Sequence, residues 1–488
     1  MKLGKNIFGV GVMTGISRIF GFIRDMLIAR FVGAGRLSDI FFAAFKLPNL
    51  FRDLLGEGAL SAIFIPMYTD MKKDESFAKN VFSWLMVILL GLTIIFEIFM
   101  PIVIWILAPG FAEDPGKMQL TVTIARIMFF YVIFICGAAF LAAVLNAHSR
   151  FLLAAFMPVM LNIFLIGALL GSIWYGNQYI LYVMAGTVVV SGIIQFITLL
   201  SRIRHKHFGL RLMIPHWNSQ MKSLFKRFCV SLIGSGFYQI TIIVGTLVAS
   251  FQSGAVSWLY YSDRIVQLPF AMIGLAVGTV LMSSISNALA DKNMRSVYIQ
   301  QNSSMRRSLM LIIPCMVGLF VLAEPIIKYL FQYGAWTAES THAVALAIKI
   351  QCLVLPAMLI SQIYSKTLYA AQDVKTPVAT SMTSLGIATI IYFALFPFVG
   401  YLSIPVGVVI SGYVKNYLLR RVCRKRNLIK TDRKTILATV AFALLSCILG
   451  FGLFVIPINS IYTMCALICI FAVLYLPIAY IVDRKLIK

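Results

Sequence analysis

Charge is scarce in this sequence, and one sign dominates it. Only 12% of the 488 residues are charged, and 17 acidic residues stand against 42 basic ones. Soluble domains carry about 25% charged residues, so a water-facing globular fold is excluded. Histidine is nearly absent, at 5, and the 8 cysteines lie mostly inside apolar runs without metal-ligand spacing. "CALIC" at 465–469 reads as two small core residues of a helix, and no metal is expected. The glycines of "GVGVMTG" lie in an apolar helix and nothing follows the phosphate-loop pattern, so no nucleotide or other cofactor is called for. No catalytic residue is expected either. The connections "APGFAEDPGK", "YGAWTAES" and "FQSGA" are too short to build a cleft around Glu113, Asp114 or Glu339, as a membrane glycosyltransferase would need.

What is present is apolar: 60% of residues are hydrophobic and the mean hydropathy is +0.92. Runs long enough to cross a hydrocarbon core of about 30 Å recur from end to end. The expectation is an all-α polytopic membrane protein with about fourteen transmembrane helices. Six spans fall within 1–201, and a basic connector occupies 202–227. Six more fall within 228–419, a basic loop covers 420–434, and two last spans lie within 435–488. The basic, apolar N-terminus is followed at once by Arg24, Asp25 and Arg30 without a small-x-small cleavage site, so it reads as a retained first helix.

Assigning alternate connections to opposite sides puts about thirty of the Lys and Arg residues on one side, in the N-terminus, "KKDESFAK", "AHSR", the 201–227 connector, the 287–307 loop, "DVK", "RRVCRKRNLIKTDRK" and "DRKLIK". The other side has little beyond Arg36 and Lys117. This bias predicts both termini in the cytoplasm. It also explains the net charge of +25 as a topology signal with attraction to anionic lipid, and not as a nucleic-acid footprint.

The second six spans echo the first. "KLPNLFRDLLGEGALSAIFIP" at 46–66 aligns with "QLPFAMIGLAVGTVLMSSIS" at 267–286, and two loop correspondences follow in order. An even number of spans per repeat makes the repeats parallel, which predicts two six-helix lobes that alternate access to a site between them.

Nine charged residues fall in the first two spans: Arg18, Arg24, Asp25, Arg30, Asp39, Lys46, Arg52, Asp53 and Glu57. The eighth span adds Asp263 and Arg264. Each would cost about 2.5–3.5 kcal/mol at mid-bilayer facing lipid, so they are expected to face one another or a wet cavity. Sevenfold spacing, close to two helical turns, groups Arg18 with Asp25, Ser17 with Arg24, and Asp39 with Lys46 and Asp53. Pro48 removes a backbone hydrogen bond, and Gly56 and Gly58 loosen the turn around Glu57. The 44–66 stretch is therefore predicted to be a bent, cavity-lining helix with Pro48, Gly56 and Gly58 as its hinge. Arginines at 18, 24, 52 and 264 point to an anionic, phosphorylated substrate. Asp25, Asp39 and Glu57 are expected to hold them while the site is empty.

"SRIFGFIRDMLIARFVGAG", "SDIFFAAFKLPNLFRDLLGEGALSAIFIPMY", "SWLYYSDRIVQLPFAMIGLAVGT" and "AAQDVKTPV" resemble the MurJ (MviN) family of bacterial lipid II flippases, in the multidrug/oligosaccharidyl-lipid/polysaccharide exporter superfamily. The resemblance covers essentially the whole chain. It implies two lobes around a cationic cavity, with two extra helices forming a groove for the lipid tail. It also implies a substrate, undecaprenyl-pyrophosphate-linked disaccharide-pentapeptide, flipped to the outer leaflet of the cytoplasmic membrane for peptidoglycan synthesis.

The family's cavity arginines fall on Arg18, Arg24, Arg52 and Arg264. Its functionally important acids fall on Asp25, Asp39 and Glu57, and Ser17, Ala29 and Asn49 also match its pattern. With Asp263, beside Arg264, the residues Asp25, Asp39, Glu57, Ser17 and Asn49 are expected to act as gate or counter-ion groups. A monomer working near peptidoglycan synthases is expected. Membrane potential is expected to drive the cycle, because an empty, positively charged site is pulled back toward the negative inside. Gln267 stands where some members have a glutamate. Span seven has no acid, and span eleven offers mainly Thr380, Ser381 and Thr383, which argues against sodium coupling. The competing reading within transporters is a multidrug antiporter, which should have an acidic cavity, or a polysaccharide-lipid flippase.

Overall fold

The computed structural model describes residues 2–176, 179–205, 211–453 and 456–487. In chain order the helices are α1 (Lys2–Phe31), α2 (Arg36–Phe51), α3 (Ala59–Asp70), α4 (Glu75–Leu107), α5 (Pro115–Phe129), α6 (Tyr131–Ala147), α7 (Leu152–Tyr175), α8 (Ile180–His205) and α9 (Ser219–Ala249). They continue with α10 (Ala255–Ala290), α11 (Met294–Phe331), α12 (Ala338–Gln351), α13 (Leu355–Ala370), α14 (Lys375–Val399), α15 (Ser403–Lys425), α16 (Arg433–Leu453) and α17 (Ile461–Ile487).

Three pairs are single spans with a local break: α2 with α3, α5 with α6, and α12 with α13. The elements thus form fourteen segments, as the apolar runs predict. Among the described residues, nine helical stretches are long and apolar enough to cross a membrane. The charge-bearing α1 and α2–α3 are not among them.

The break in the second span has a local cause. Pro48 lies inside α2 and cannot donate to the helix ladder. Just beyond it, Arg52–Gly58 forms a π-helix before α3 resumes. Such i→i+5 turns gather at functional sites.

The chain divides into two compact units: residues Met1–Val256 with Tyr333–Trp336, and Ser257–Gln332 with Thr337–Lys488. The first holds α1 to α9, so it includes α9, a helix of the second sequence repeat. Three side chains of α2 and the π-helix fasten α9 there. Asp39 Oδ2 accepts from the Gly254 N–H at 2.7 Å. Lys46 Nζ donates to Thr246 Oγ1, and Asp53 Oδ2 accepts from Gln239 Nε2 at 3.3 Å. The sevenfold column is therefore real, running antiparallel to α9 and the turn after it. That turn needs glycine, because Gly254 sits at φ 83°.

In the second unit α16 and α17 dock on α11. The buried Arg306 reaches Asp483 at 3.2 Å, Thr435 at 3.1 Å and Asp432 at 3.4 Å. Tyr475 OH donates to the Met310 carbonyl at 2.9 Å.

Candidate functional site

Arg24 is a guanidinium buried within an apolar helix, only 6% exposed. Its Nε and Nη2 donate to Asp25 Oδ1 at 3.0 and 2.6 Å, and its Nη1 donates to Asn162 Oδ1 on α7 at 3.0 Å. Asn162 Nδ2 turns back to the Ser17 carbonyl at 3.2 Å. Two polar side chains and one backbone oxygen thus knit α1 to α7 around one arginine. Charge-assisted bonds of this kind are about twice as strong as neutral ones.

Arg52 repeats the arrangement at the start of the π-helix, donating from Nη2 to Asp53 Oδ1 at 3.1 Å. It is partly buried, and Asp53 is shared with Gln239. Both arginines are therefore held by the carboxylate of the next residue. Arg18 is exposed on α1. In the second unit, Arg264 is also exposed, 5.9 Å above the Tyr260 ring.

Asp25 is fully buried and serves Arg24. Asp39 is equally buried and is the counter-ion of Lys117: Lys117 Nζ lies 2.9 Å from Asp39 Oδ2, and 3.9 Å from the Phe111 ring centroid. Asp263 accepts from Gln351 Nε2 at 2.8 Å and from Gln267 Nε2. The glutamine at 267 thus stays a partner of Asp263. Pro48 is buried and Asn49 half-buried beside it. The side chains of Gly56, Glu57 and Gly58 lie outside the described residues.

Three participants were missing from the sequence reading: Asn162, Lys117 and Gln239. A lone amide in an apolar run, as in "PVMLNIFLIG", is the signal that finds Asn162, since polar groups at membrane depth seek partners. Lys117 reads as a loop residue, yet it is 5% exposed.

Around it the connections after α1, α4 and α9 are tightly bonded. Arg36 Nε donates to Asp114 Oδ2 at 2.8 Å, and the Gly110 N–H donates to Ser250 Oγ at 2.9 Å. A Cβ at Gly110 would lie 2.5 Å from the Phe251 backbone, so the approach requires glycine. The hydrogen bond from Arg36 and the backbone N–H of Lys117 hold the Asp114 carboxyl down to about 2.

The comparisons with known proteins agree with one another. A family model described as lipid II flippase MurJ matches residues 28–476. The chain is 33% identical over 423 residues to a probable lipid II flippase MurJ of Rhizobium tropici, covering 85% of this chain and 79% of that protein. It is 28% identical over 511 residues to a lipid II flippase MurJ of Burkholderia cenocepacia, covering 99% and 98%. A solved lipid II flippase MurJ in an inward closed conformation superposes with a TM-score of 0.85 at 25% identity, over 98% of this chain and 99% of that one. An inward-facing MATE family multidrug transporter superposes with a TM-score of 0.69 at 15% identity, over 84% and 94%, a likeness of fold alone.

Proposed function

The chain belongs to the MurJ family of lipid II flippases, and from that premise we propose that it carries the undecaprenyl-pyrophosphate-linked peptidoglycan precursor from the inner to the outer leaflet of the cytoplasmic membrane by alternating access. The observation that carries this reading is the Arg24 cluster. A buried guanidinium fork, already occupied by a carboxylate, presents the donor geometry that a pyrophosphate oxygen pair would take.

On this reading Asp25 and Asp53 are place-holders. They neutralise Arg24 and Arg52 while no substrate is bound, which lowers the cost of keeping two cations at membrane depth. An incoming pyrophosphate exchanges with them, and the exposed Arg18 on α1 adds a further donor. The prenyl chain stays in lipid along α16 and α17. Asp39 acts differently: through Lys117 and Gly254 it fastens the outward end of α2 to α5 and to the turn after α9, and this latch has to open for release.

Both termini face the cytoplasm in this scheme, and the protein works as a monomer. Membrane potential returns the emptied carrier, since each unit charge crossing 100 mV is worth about 2.3 kcal/mol. Cells in which this chain is the sole flippase should expose precursor head groups outside. Collapse of the potential, with pH and sodium gradients held, should stop the export. Export that persists after the collapse overturns the potential-driven return, and no exposure at all overturns the flippase reading.

A further inference from the structure

The first unit carries a second amphipathic recess, apart from the arginine clusters. At the basic end of the unit, α1, the turn between α6 and α7, and the last turns of α8 border an open groove of about 790 Å³. Its polar lining includes Arg150, Arg202 and His205, and its apolar lining includes Met13, Leu152 and Phe156. The turn is tight: the Arg150 N–H donates to the Leu145 carbonyl at 3.0 Å, and Ser149 sits at φ 60°, a left-handed conformation that serine seldom adopts. This sharp reversal sets Arg150 beside the end of α8, where Arg202 and His205 follow at helical spacing. Leu152, at the start of α7, is 54% exposed.

We propose that this groove binds an anionic glycerophospholipid of the leaflet that the basic loops face. The phosphate lies among Arg150, Arg202 and His205, and an acyl chain covers Met13, Leu152 and Phe156. Charge complementarity selects an anion, and basic residues at a membrane surface contribute about 1 kcal/mol each toward anionic lipid. The apolar wall beside the cations selects a lipid over a free phosphate, which would leave Leu152 uncovered. An acidic peptide would have to lay its own polar backbone on the same wall. The site is separate from the transport reading and stands or falls without it.

The test uses the full-length protein in nonionic detergent, with retained lipids counted by native mass spectrometry during titration with phosphatidylglycerol or phosphatidylcholine. Phosphatidylglycerol should be retained in preference. The double variant R150A/R202A should weaken its retention about tenfold or more, while R421A/R424A, which removes as many basic residues from α15, should not. L152W, which fills the apolar wall and keeps every cation, should weaken it as well. Circular dichroism matching wild type excludes misfolding as the cause. Unchanged retention in R150A/R202A, or equal retention of phosphatidylcholine, overturns the proposal. So does phosphatidylglycerol affinity that survives L152W but yields to inorganic phosphate. One-for-one displacement by the polyprenyl-pyrophosphate precursor also overturns it, because the groove would then belong to the transport path.

Discussion

Lys117 and Asp39 lie 2.9 Å apart with side chains 6% and 0% exposed, so neither charge is solvated by water. The same Asp39 oxygen accepts the Gly254 N–H at 2.7 Å. One carboxylate therefore holds α2 to α5 and to the turn that follows α9. Removing one member of a buried pair strands the other charge, at about 3–5 kcal/mol.

Lys117→Met should accordingly destabilise the protein more than the double variant Asp39→Asn/Lys117→Met, in which an amide still accepts from Gly254. Thermal unfolding in detergent measures this. Additive losses in the double variant would show that the two side chains are not coupled.

Arg24 uses three nitrogens on two acceptors, which an ammonium cannot copy. Arg24→Lys should lose about tenfold or more in export, since one charge-assisted bond is worth about 1.5–3 kcal/mol. Asn162→Leu removes the acceptor for Nη1 and the donor to the Ser17 carbonyl, and should loosen α1 from α7 at a cost of about 1–3 kcal/mol. Hydrogen exchange of α1 amides reads the second effect directly.

The Arg36–Asp114 pair is exposed and titrates only in acid. Its carboxyl is held down to about 2, below the ordinary value of about 3.9. A depressed carboxyl contributes stability that is complete above the ordinary value and is lost as pH falls through the folded one. The difference between wild type and Asp114→Asn in unfolding midpoint should therefore be constant from pH 5 to 8, and should shrink only below about pH 4.

Much of this was legible in the sequence. Apolar runs gave the fourteen segments, because hydrocarbon thickness sets their length. Pro48 with Gly56 and Gly58 marked an irregular stretch, where the structure has a π-helix over Arg52–Gly58, because backbone chemistry is local. The column Asp39, Lys46, Asp53 followed from helical periodicity alone. Partners were harder.

Wheel arithmetic sets Asp25 toward Arg18, since adjacent helical residues point about 100° apart. The long Arg24 side chain bends back to its neighbour all the same. Asp39 and Lys117 are 78 residues apart and Arg24 and Asn162 are 138 apart. No periodicity within one helix reports such tertiary pairings.

The π-helix gives a further expectation. Pro48→Ala restores a ladder donor, favouring regular helix by up to about 3 kcal/mol, and should turn Asp53 away from Gln239. Thiol cross-linking between cysteines placed at 53 and 239 in a cysteine-free background should fall, and export should fall with it. Full cross-linking in the Pro48→Ala background would separate the proline from the π-turn.

The central claim is that the guanidinium groups of Arg24 and Arg52 exchange their neighbouring carboxylates for the anionic head group. The most direct measurement is the appearance of precursor head groups outside cells in which Arg24→Gln, Arg52→Gln or wild-type protein is the sole flippase, at matched membrane levels. The account expects export from wild type and none from either variant. Wild-type export by the Arg24→Gln/Arg52→Gln double variant would contradict it.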